Sequence, residues 1–397
     1  MLLTRVGRLF SAQQPVLEDV DVLIRDGLVA EVGESGSVAV EEDPDEYDCG
    51  GALLTAGLVD AHTHPVYARP RLAEVAARSR GADYAEIAEK GGGITATRRE
   101  TKAASWPSLE RDLRLRLQSW LEAGTTTVEA KTGYWLDEEG ELGAVELLQR
   151  LRSDSSLPHV AITFLGAHSL PPEFAQDRHH FVEAVASWGA TARRRGADFA
   201  DVFCDRGAFS VPESRQILVR ARGDGLGLRI HADELALTGG TRLAVELRAA
   251  SADHLLRIGD EEIRLLANSQ TVATLCPVTA LSMGVTPPAR RLVDAGVTLA
   301  LGSDHNPGTS GATSMALILW LAVSELGLSI EEGLEAATLG GARSLRIETR
   351  GRIARGMEAD LVLWDADHEG AFAWNPVTRP LQVWRAGRLC SPEPPAG

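Results

Sequence analysis

The feature that most constrains the fold of this chain is a repeated alternation of short apolar runs with longer amphipathic segments. Eight runs of strand length lie between residues 56 and 307, from "AGLVDAHTH" to "VTLALGSDHNP". Leucines recur at helical spacing in the intervening segments, for example in residues 108–124. Alternating strands and helices predict an α/β protein with a parallel sheet, and eight repeats predict a closed (β/α)8 TIM barrel.

The two ends of the chain show a different pattern, in which short alternating runs are separated by glycine and aspartate. Residues 19–33 have the pattern of a hairpin, and residues 351–390 contain further short strands joined by turns. Because the two ends are alike, we expect residues 1–55 and 346–397 to form one composite small domain, a β-sandwich. The barrel would then comprise residues 56–345.

Charge and composition limit the kinds of molecule that this protein is expected to bind. The 397 residues carry a net charge of −16, which argues against nucleic acid or an anionic membrane surface as the main partner. The amino terminus lacks the pattern of a signal peptide and no apolar run reaches membrane-spanning length, so we expect a cytoplasmic protein. The four cysteines have no metal-site spacing, which favours reduced thiols. A homodimer is one candidate for the assembly.

Two histidines, His62 and His64, close the first predicted strand in "LVDAHTH". Side chains at positions i and i+2 of a strand leave the same face, so both imidazoles point into the space beyond the strand end. Two imidazoles on one face can form half of a metal site. The pair alone is equally compatible with one buried structural histidine and one surface histidine.

Further polar residues occur where the other predicted strands end, which is where barrel enzymes place their active sites. His62, His64, His231 and Asp304 could together form a site of three histidines and one carboxylate, with room for water, which suits zinc or a similar divalent metal. The other polar residues at these strand ends are Glu129, Lys131, Tyr134, His168, Asp233, Glu234, Asp253, His254, His305 and Asn306.

The order of these residues resembles the amidohydrolase superfamily and, within it, the imidazolonepropionase family. The terminal β segments resemble the small composite domain of that superfamily. The matching motifs, which extend over the whole barrel, are "GLVDAHTH", "GGGITATRRET", "TTTVEAKTGY", "TFLGAH", "IHADE", "SADHL" and "SDHNPGTS".

The resemblance implies one divalent metal ion per chain, zinc in preference to iron, bound by His62, His64, His231 and Asp304. Lys131 lies in a "KTGY" context that does not bind metal in this family, so we predict a structural ion pair for it. The resemblance also implies that substrate or product is held by Arg71, Tyr134, His168, Glu234, Asn306, Gly308 and Thr309.

The implied reaction is hydrolysis of a cyclic amide, in which 4-imidazolone-5-propanoate and water give N-formimidoyl-L-glutamate during histidine degradation. His254 is expected to stabilise the oxyanion, and Glu234 and Asp304 are the carboxylates available for proton transfer. For Glu234, a general base and an acceptor of a substrate hydrogen bond are equal alternatives. Arg71 is expected to pair with the carboxylate of a small anionic nitrogen heterocycle.

Several features leave other functions open. "HADE" also resembles the pattern of deaminases that act on nitrogen heterocycles, and a non-catalytic scaffold is a third hypothesis. The sequence departs from the imidazolonepropionase pattern at Arg69, Pro70, Trp135 and residues 276–284, near the expected mouth of the pocket. Residues 66–108 are predicted to be a long irregular connection that covers the substrate.

Overall fold

The structure, a computed structural model, describes residues 1–40, 44–81 and 92–390. Its strands form two sheets. In chain order the strands are β1 (Leu2–Phe10), β2 (Leu17–Arg25), β3 (Leu28–Glu34), β4 (Glu46–Asp48), β5 (Leu53–Ala56), β6 (Leu58–Asp60), β7 (Thr125–Lys131), β8 (His159–Ala167), β9 (Phe199–Cys204), β10 (Gly227–Ala232), β11 (Ser251–His254), β12 (Val272–Leu275), β13 (Leu299–Leu301), β14 (Leu361–Trp364), β15 (Pro380–Arg385) and β16 (Arg388–Leu389).

Most of the helices lie between the strands of the second sheet. No helix in the described part of the chain combines the length and the apolar composition that crossing a membrane requires. The α-helices are α1 (Leu72–Arg78), α2 (Ile94–Ala103), α3 (Trp106–Glu122), α4 (Glu138–Arg152), α5 (Arg178–Arg194), α6 (Val211–Gly223), α7 (Gly240–Glu246), α8 (Asp260–Ala267), α9 (Pro277–Ser282), α10 (Ala289–Asp294), α11 (Met315–Ser324), α12 (Ile330–Glu335), α13 (Gly341–Ser344) and α14 (Ala371–Trp374).

Strands β6 to β13 form a parallel sheet in sequential order, as the alternation predicted. The sheet closes because β6 and β13 also meet. The amide of Ala61 donates to the carbonyl of Leu301 at 3.1 Å, and the amide of Asp304 donates to the carbonyl of His62 at 2.9 Å. The predicted (β/α)8 barrel is therefore confirmed.

Helix α3 shows how the sequence pattern produces the outer layer of the barrel. The Ser105 side chain accepts a hydrogen bond from the amide of Ser108, which caps the start of the helix. Leu109, Leu113 and Leu117, spaced four residues apart, are buried against the barrel. Each fully buried leucine stabilises the fold by about 1.5–3 kcal/mol, so the docked face outweighs the weak intrinsic propensity of the helix.

The first sheet combines strands from both ends of the chain, in the order β16-β15-β14-β5-β1-β2-β3, with β4 also paired to β1. A composite small β domain is thus confirmed. We expected this domain to be a β-sandwich, but hydrogen bonds join its strands into one continuous sheet with both parallel and antiparallel pairs. Its strands lie within residues 2–56 and 361–389, while the boundaries at 55/56 and 345/346 stay predictions.

The connection of residues 66–108 is not irregular throughout, and this part of the prediction was wrong. Helices α1 and α2 lie in it, and residues 82–91 are outside the described range. Helix α2 begins after Gly93, whose φ of +66° favours glycine. The alanine, arginine, glutamate and lysine residues that follow have good helix propensity, which the glycine-rich start of the motif obscured.

Candidate active site

The four side chains predicted to bind metal converge at the carboxyl end of the barrel strands. His64 Nε2 lies 3.2 Å from His62 Nε2 and 3.3 Å from His231 Nε2. Asp304 Oδ1 lies 3.6 Å from His62 Nε2 and 3.5 Å from His64 Nε2. Three ring nitrogens and one carboxylate oxygen thus surround one small region.

Two buried carboxylates determine which way the imidazoles present their lone pairs. His62 Nδ1 lies 2.7 Å from Asp253 Oδ2, and His231 Nδ1 lies 3.0 Å from Asp201 Oδ2. A proton on each Nδ1 satisfies the carboxylate and leaves the lone pair of Nε2 pointing at the convergence point. Facing lone pairs repel one another unless a cation lies between them. The donor set therefore fits a divalent metal.

Two more histidines lie close to this point. The described residues contain three overlapping groups whose ligand atoms all lie within 4.8 Å of one another. One group contains His254 together with His62 and His231, and another contains His168 together with His64 and His231. The structure can therefore hold a divalent metal at this end of the barrel, while the choice of ligands among these residues stays a prediction.

Below the histidines lies a fully buried ionic network. Lys131 Nζ lies 2.9 Å from Glu129 Oε1 and 2.8 Å from Asp201 Oδ2, and Arg229 Nη2 lies 3.2 Å from Asp253 Oδ2. Burial opposes the charge on Lys131, but Asp201 and Glu129 outweigh it and raise the pKa of the ammonium group. The predicted structural ion pair is confirmed.

The acid and base groups at the site have strongly perturbed pKa values. Burial raises the pKa of Asp304 to about 6, although the Thr279 hydroxyl opposes this by donating a hydrogen bond of 2.5 Å. Burial and then the charge of Asp304 raise the pKa of Glu234 well above its usual range. Burial lowers the pKa of His254 to about 3. His254 Nδ1 and Glu234 Oε1 are 3.8 Å apart, so the imidazole and the carboxyl group face each other across the site.

A cavity of about 370 Å³ opens next to the convergence point. Its size suits a small molecule. Gly308 lies outside the lining, but a Cβ atom there would be 1.8 Å from Arg71 Nη2, so a larger residue would displace the guanidinium. The predicted substrate-binding residues that line the cavity are Arg71, Tyr134, His168, Glu234, Asn306 and Thr309.

Arg71 supplies a guanidinium to the cavity wall, and two of its donor groups are already engaged. Its Nε donates to Glu74 Oε2 at 2.8 Å, and its Nη1 donates to Thr97 Oγ1 at 2.6 Å. Helices α1 and α2 thus fix the orientation of the side chain from two sides. A ligand can use the N–H donors of the guanidinium that remain. The bidentate pair predicted between Arg71 and a carboxylate would therefore be restricted to one edge of the guanidinium.

His168 is oriented as a hydrogen-bond acceptor. Its Nδ1 lies 3.0 Å from the carbonyl oxygen of Gly133, which requires a proton on Nδ1 and leaves the lone pair on Nε2. The ring stacks on His64 with centroids 4.9 Å apart and an interplanar angle of 15°. Burial lowers the pKa of His168 to about 3, so the ring is neutral and suits an N–H donor on a ligand.

The turn after β13 satisfies many of its own polar groups. Asn306 Oδ1 accepts hydrogen bonds of 2.8 Å from the amides of Gly308 and Thr309. Asn306 Nδ2 donates to the Asp304 carbonyl oxygen at 2.6 Å and to Thr309 Oγ1 at 2.7 Å. These bonds would have to rearrange before the turn could bind a carboxylate as the sequence suggested. The substrate roles of Asn306, Gly308 and Thr309 therefore stay predictions.

Three residues at the strand ends have left-handed backbone conformations. Asp233, His254 and Asp304 have φ values of +53°, +76° and +46°. This region is sparsely populated by residues other than glycine, and such strain clusters where function requires a particular side-chain direction. For Asp233 the side-chain direction has a structural role, because its carboxylate accepts hydrogen bonds from the amide and the hydroxyl of Thr241 at 2.9 and 2.6 Å.

Three functional neighbours were missed by the sequence analysis. Asp201 holds His231, Thr279 holds Asp304, and Glu74 holds Arg71. A signal existed for Asp201, because a carboxylate within the apolar run "FADVFCD" requires a buried partner. A local signal also existed for Glu74, which lies three residues after Arg71 at the start of α1, a spacing that brings side chains together. No signal existed for Thr279, because its partner Asp304 is 25 residues away in the chain.

Comparison with known proteins agrees with this geometry. An imidazolonepropionase from Bacillus cytotoxicus is 38% identical over 98% of this chain and 96% of its own length. Two solved structures share the fold. A 5-methylcytosine deaminase from Klebsiella pneumoniae has a TM-score of 0.76 at 17% identity, covering 98% of this chain and 97% of its own. A zinc-bound adenosine deaminase from Xanthomonas campestris has a TM-score of 0.73 at 19% identity, covering 98% and 92%.

Residues 68–390 match the amidohydrolase family, and this range contains most of the barrel together with the strands that the carboxyl-terminal end adds to the small domain. The family match and the full-length relative both agree with the resemblance found in the motifs. The solved structures, at less than 25% identity, support the fold alone. The chain belongs to the amidohydrolase family and, within it, to the imidazolonepropionases.

Proposed function

We propose that this enzyme hydrolyses the ring amide of 4-imidazolone-5-propanoate to give N-formimidoyl-L-glutamate. The observation that carries the proposal is one cavity of about 370 Å³ with the metal-fitting histidines at its base and Arg71 in its wall. A substrate with a reactive ring and an anionic tail matches this arrangement, with the ring at the histidines and the tail at Arg71. The name of the Bacillus cytotoxicus relative supports the same substrate.

The proposed cofactor is one divalent ion per chain, zinc in preference to iron, held by His62, His64, His231 and Asp304. Such an ion would supply Lewis acidity for activating water and polarising a carbonyl group. A nitrogen-rich site with one carboxylate suits zinc. The zinc reported for the adenosine deaminase of similar fold supports this preference.

The protein groups divide the remaining chemistry between them. Glu234 accepts the proton lost by the attacking water and returns it to the ring nitrogen as the C–N bond breaks. Its raised pKa suits both transfers, because a carboxylate with a raised pKa is a stronger base towards water, and its conjugate acid can then deliver the proton to a leaving group. His254, neutral and 3.8 Å from Glu234, donates a hydrogen bond to the developing oxyanion.

Binding specificity rests on two groups in the cavity wall. Arg71 pairs with the propanoate carboxylate through the donors that Glu74 and Thr97 leave available. His168 accepts a hydrogen bond from a ring N–H through Nε2, since Nδ1 is committed to the carbonyl of Gly133. The neutral acceptor His168 and the fixed cation Arg71 together select a heterocycle whose negative charge lies on a substituent and not on the ring.

A deaminase acting on a small nitrogen heterocycle is the second candidate, because the solved structures of similar fold include two deaminases. The two reactions release different products. The experiment measures ring absorbance and free ammonia during turnover of 4-imidazolone-5-propanoate, with His231→Ala as the inactive control. We expect loss of the absorbance without ammonia. Stoichiometric ammonia would reject ring hydrolysis.

Composition limits the kinds of partner that we propose for the protein. A net charge of −16 disfavours nucleic acid, and the proposed partner at the active site is the small anionic substrate. A homodimer and a cytoplasmic location stay predictions. Sedimentation analysis of the purified holoenzyme tests the assembly, because a monomer at micromolar concentration would contradict the homodimer.

A further inference from the structure

A second and larger cavity lies at the end of the barrel opposite the active site. Its volume is about 1320 Å³. Ala250, Thr271 and Thr298, which immediately precede strands β11, β12 and β13, contribute to its wall. Because the strands are parallel, residues before their amino ends lie at the opposite face from the histidines. The proposed reaction does not use this cavity.

The cavity wall carries an excess of positive charge. Four arginines line it, Arg248, Arg343, Arg346 and Arg352, together with a single carboxylate, that of Glu348. Within residues 1–40, 44–81 and 92–390, none of these arginines forms an ion pair. The contacts that do occur are with neutral groups. Arg343 Nη2 donates to Gln13 Oε1 at 3.1 Å, and Arg346 Nη2 donates to the carbonyl of Arg248 at 3.0 Å.

This lack of ion pairs contrasts with the rest of the chain. The protein has 56 acidic residues and 40 basic ones, so carboxylates are available in excess. Arg350, a close neighbour in sequence, pairs with both Glu358 and Asp360. Of the four arginines in the cavity wall, three are exposed and Arg352 is half-buried, so solvent reduces the repulsion between these like charges, but their gathering in one concave surface keeps the local potential positive. An anion in the cavity would relieve this repulsion.

Helix ends position two of these arginines in the wall. Arg248 and Arg346, both with a φ of +53°, follow α7 and α13, and their amides donate to the carbonyls of Val245 and Arg343 in left-handed turns that end the helices. Thr271 also lines the cavity, and its buried hydroxyl has no hydrogen-bond partner within the described residues.

We propose that this cavity is a binding site for a small molecule bearing two or more anionic groups. Planar guanidinium groups match both carboxylates and phosphates through paired N–H donors. A single small anion would leave most of the volume empty, since ligand pockets of about 300–1,000 Å³ already hold drug-sized molecules. Two classes share the required chemistry, polycarboxylates and compounds with more than one phosphate group.

The test titrates the metal-loaded enzyme by calorimetry with two probes that chelate metal weakly. Benzene-1,3,5-tricarboxylate represents the carboxylates, and fructose 1,6-bisphosphate represents the phosphates. Measurements at about 50 mM salt keep screening low, and affinity should fall as salt rises. We expect at least one probe to bind, and the probe that binds more tightly identifies the class of ligand.

The variant that tests the location is Arg248→Gln combined with Arg352→Gln. Neither side chain makes a hydrogen bond within the described residues, so the change removes charge without removing a structural contact. Probe affinity should fall at least tenfold, while the melting temperature without probe should stay the same or rise. Arg222→Gln is the matched control, because Arg222 is an exposed arginine on α6 without an ion pair among the described residues. This control should bind as the wild type does.

A last variant separates the two cavities. Arg71→Ala removes the guanidinium of the active-site cavity and should leave probe affinity unchanged. Loss of binding in Arg71→Ala would place the probe in the active site and overturn the proposal. Equal affinity in the wild type and the double variant, or a wild-type dissociation constant above about 10 mM for both probes, would also overturn it.

Discussion

His62 Nδ1 lies 2.7 Å from Asp253 Oδ2, and both side chains are fully buried. Asp253 in turn faces two cations, with Arg229 Nη2 at 3.2 Å and Lys131 Nζ at 3.6 Å. The burial of Asp253 would raise the pKa of its carboxyl group, but the nearby charges of Arg229 and Lys131 lower it below its usual range. An ionised carboxylate therefore fixes the proton of His62 on Nδ1 and directs the Nε2 lone pair to the proposed metal.

Replacing Asp253 by asparagine should weaken metal binding without removing a ligand. The amide retains the shape of the side chain but loses the charge that holds the His62 proton, so zinc affinity should fall by about 10–100-fold. Competition with a chelator measures the affinity, and circular dichroism checks the fold. Asp367→Asn, at an exposed aspartate, is the matched control. Unchanged zinc affinity in Asp253→Asn would show that the carboxylate does not tune the site.

Replacing His254 by alanine should separate catalysis from metal binding. His254 lies within ligand distance of His62 and His231, yet its proposed role is to donate to the oxyanion. The variant should keep its zinc and lose about 10²–10³-fold in kcat. His231→Ala and Asp304→Ala should instead lose both zinc and turnover, because each opens the coordination shell. Zinc loss in His254→Ala as large as in His231→Ala would make His254 a ligand.

Metal affinity should depend on pH through Asp304. Burial raises the pKa of this carboxyl group to about 6 in the metal-free protein, while burial keeps the pKa values of His62 and His64 well below their usual range. Below about pH 6, binding a metal must displace the Asp304 proton, so affinity should fall about tenfold per pH unit and level off above that pH. Chelator competition between about pH 5 and about pH 7 measures the slope, and a flat profile would contradict the prediction.

Replacing Arg71 by alanine should weaken recognition of the substrate tail. A charge-assisted hydrogen bond contributes about 1.5–3 kcal/mol, so kcat/KM should fall by about tenfold to a few hundredfold. If the pair acts equally in ground and transition states, the loss appears in KM. Lysine should restore part of the loss, since an ammonium group cannot also hold Glu74 and Thr97 as the guanidinium does.

A substrate analogue provides the control for Arg71. In this analogue a neutral amide replaces the tail carboxylate. The wild type should bind it more weakly than the acid, and Arg71→Ala should barely distinguish the two. Discrimination in the variant as strong as in the wild type would remove Arg71 from the proposed recognition of the carboxylate.

Much of the barrel could be predicted from sequence because its signals are local. The apolar runs that end in polar residues predicted all eight strands, and the i, i+2 spacing predicted that His62 and His64 share a face. The "KTGY" context predicted that Lys131 forms an ion pair, and the structure shows the pair with Glu129 and Asp201. The inferences on the strands and on the two histidines use the strand period and the connection rule, which sequence alone contains, whereas the inference on Lys131 used the resemblance to a known family.

The tertiary structure decided which distant groups meet. Asp201 reaches His231, Thr279 reaches Asp304, and Thr97 reaches Arg71. It also placed Arg248 and Arg346, 98 positions apart in the chain, in the wall of one cavity. These contacts depend on how the barrel closes and on which helices dock beside its ends. No local period encodes a pairing between separate elements, because their approach is set by the packing of the whole core.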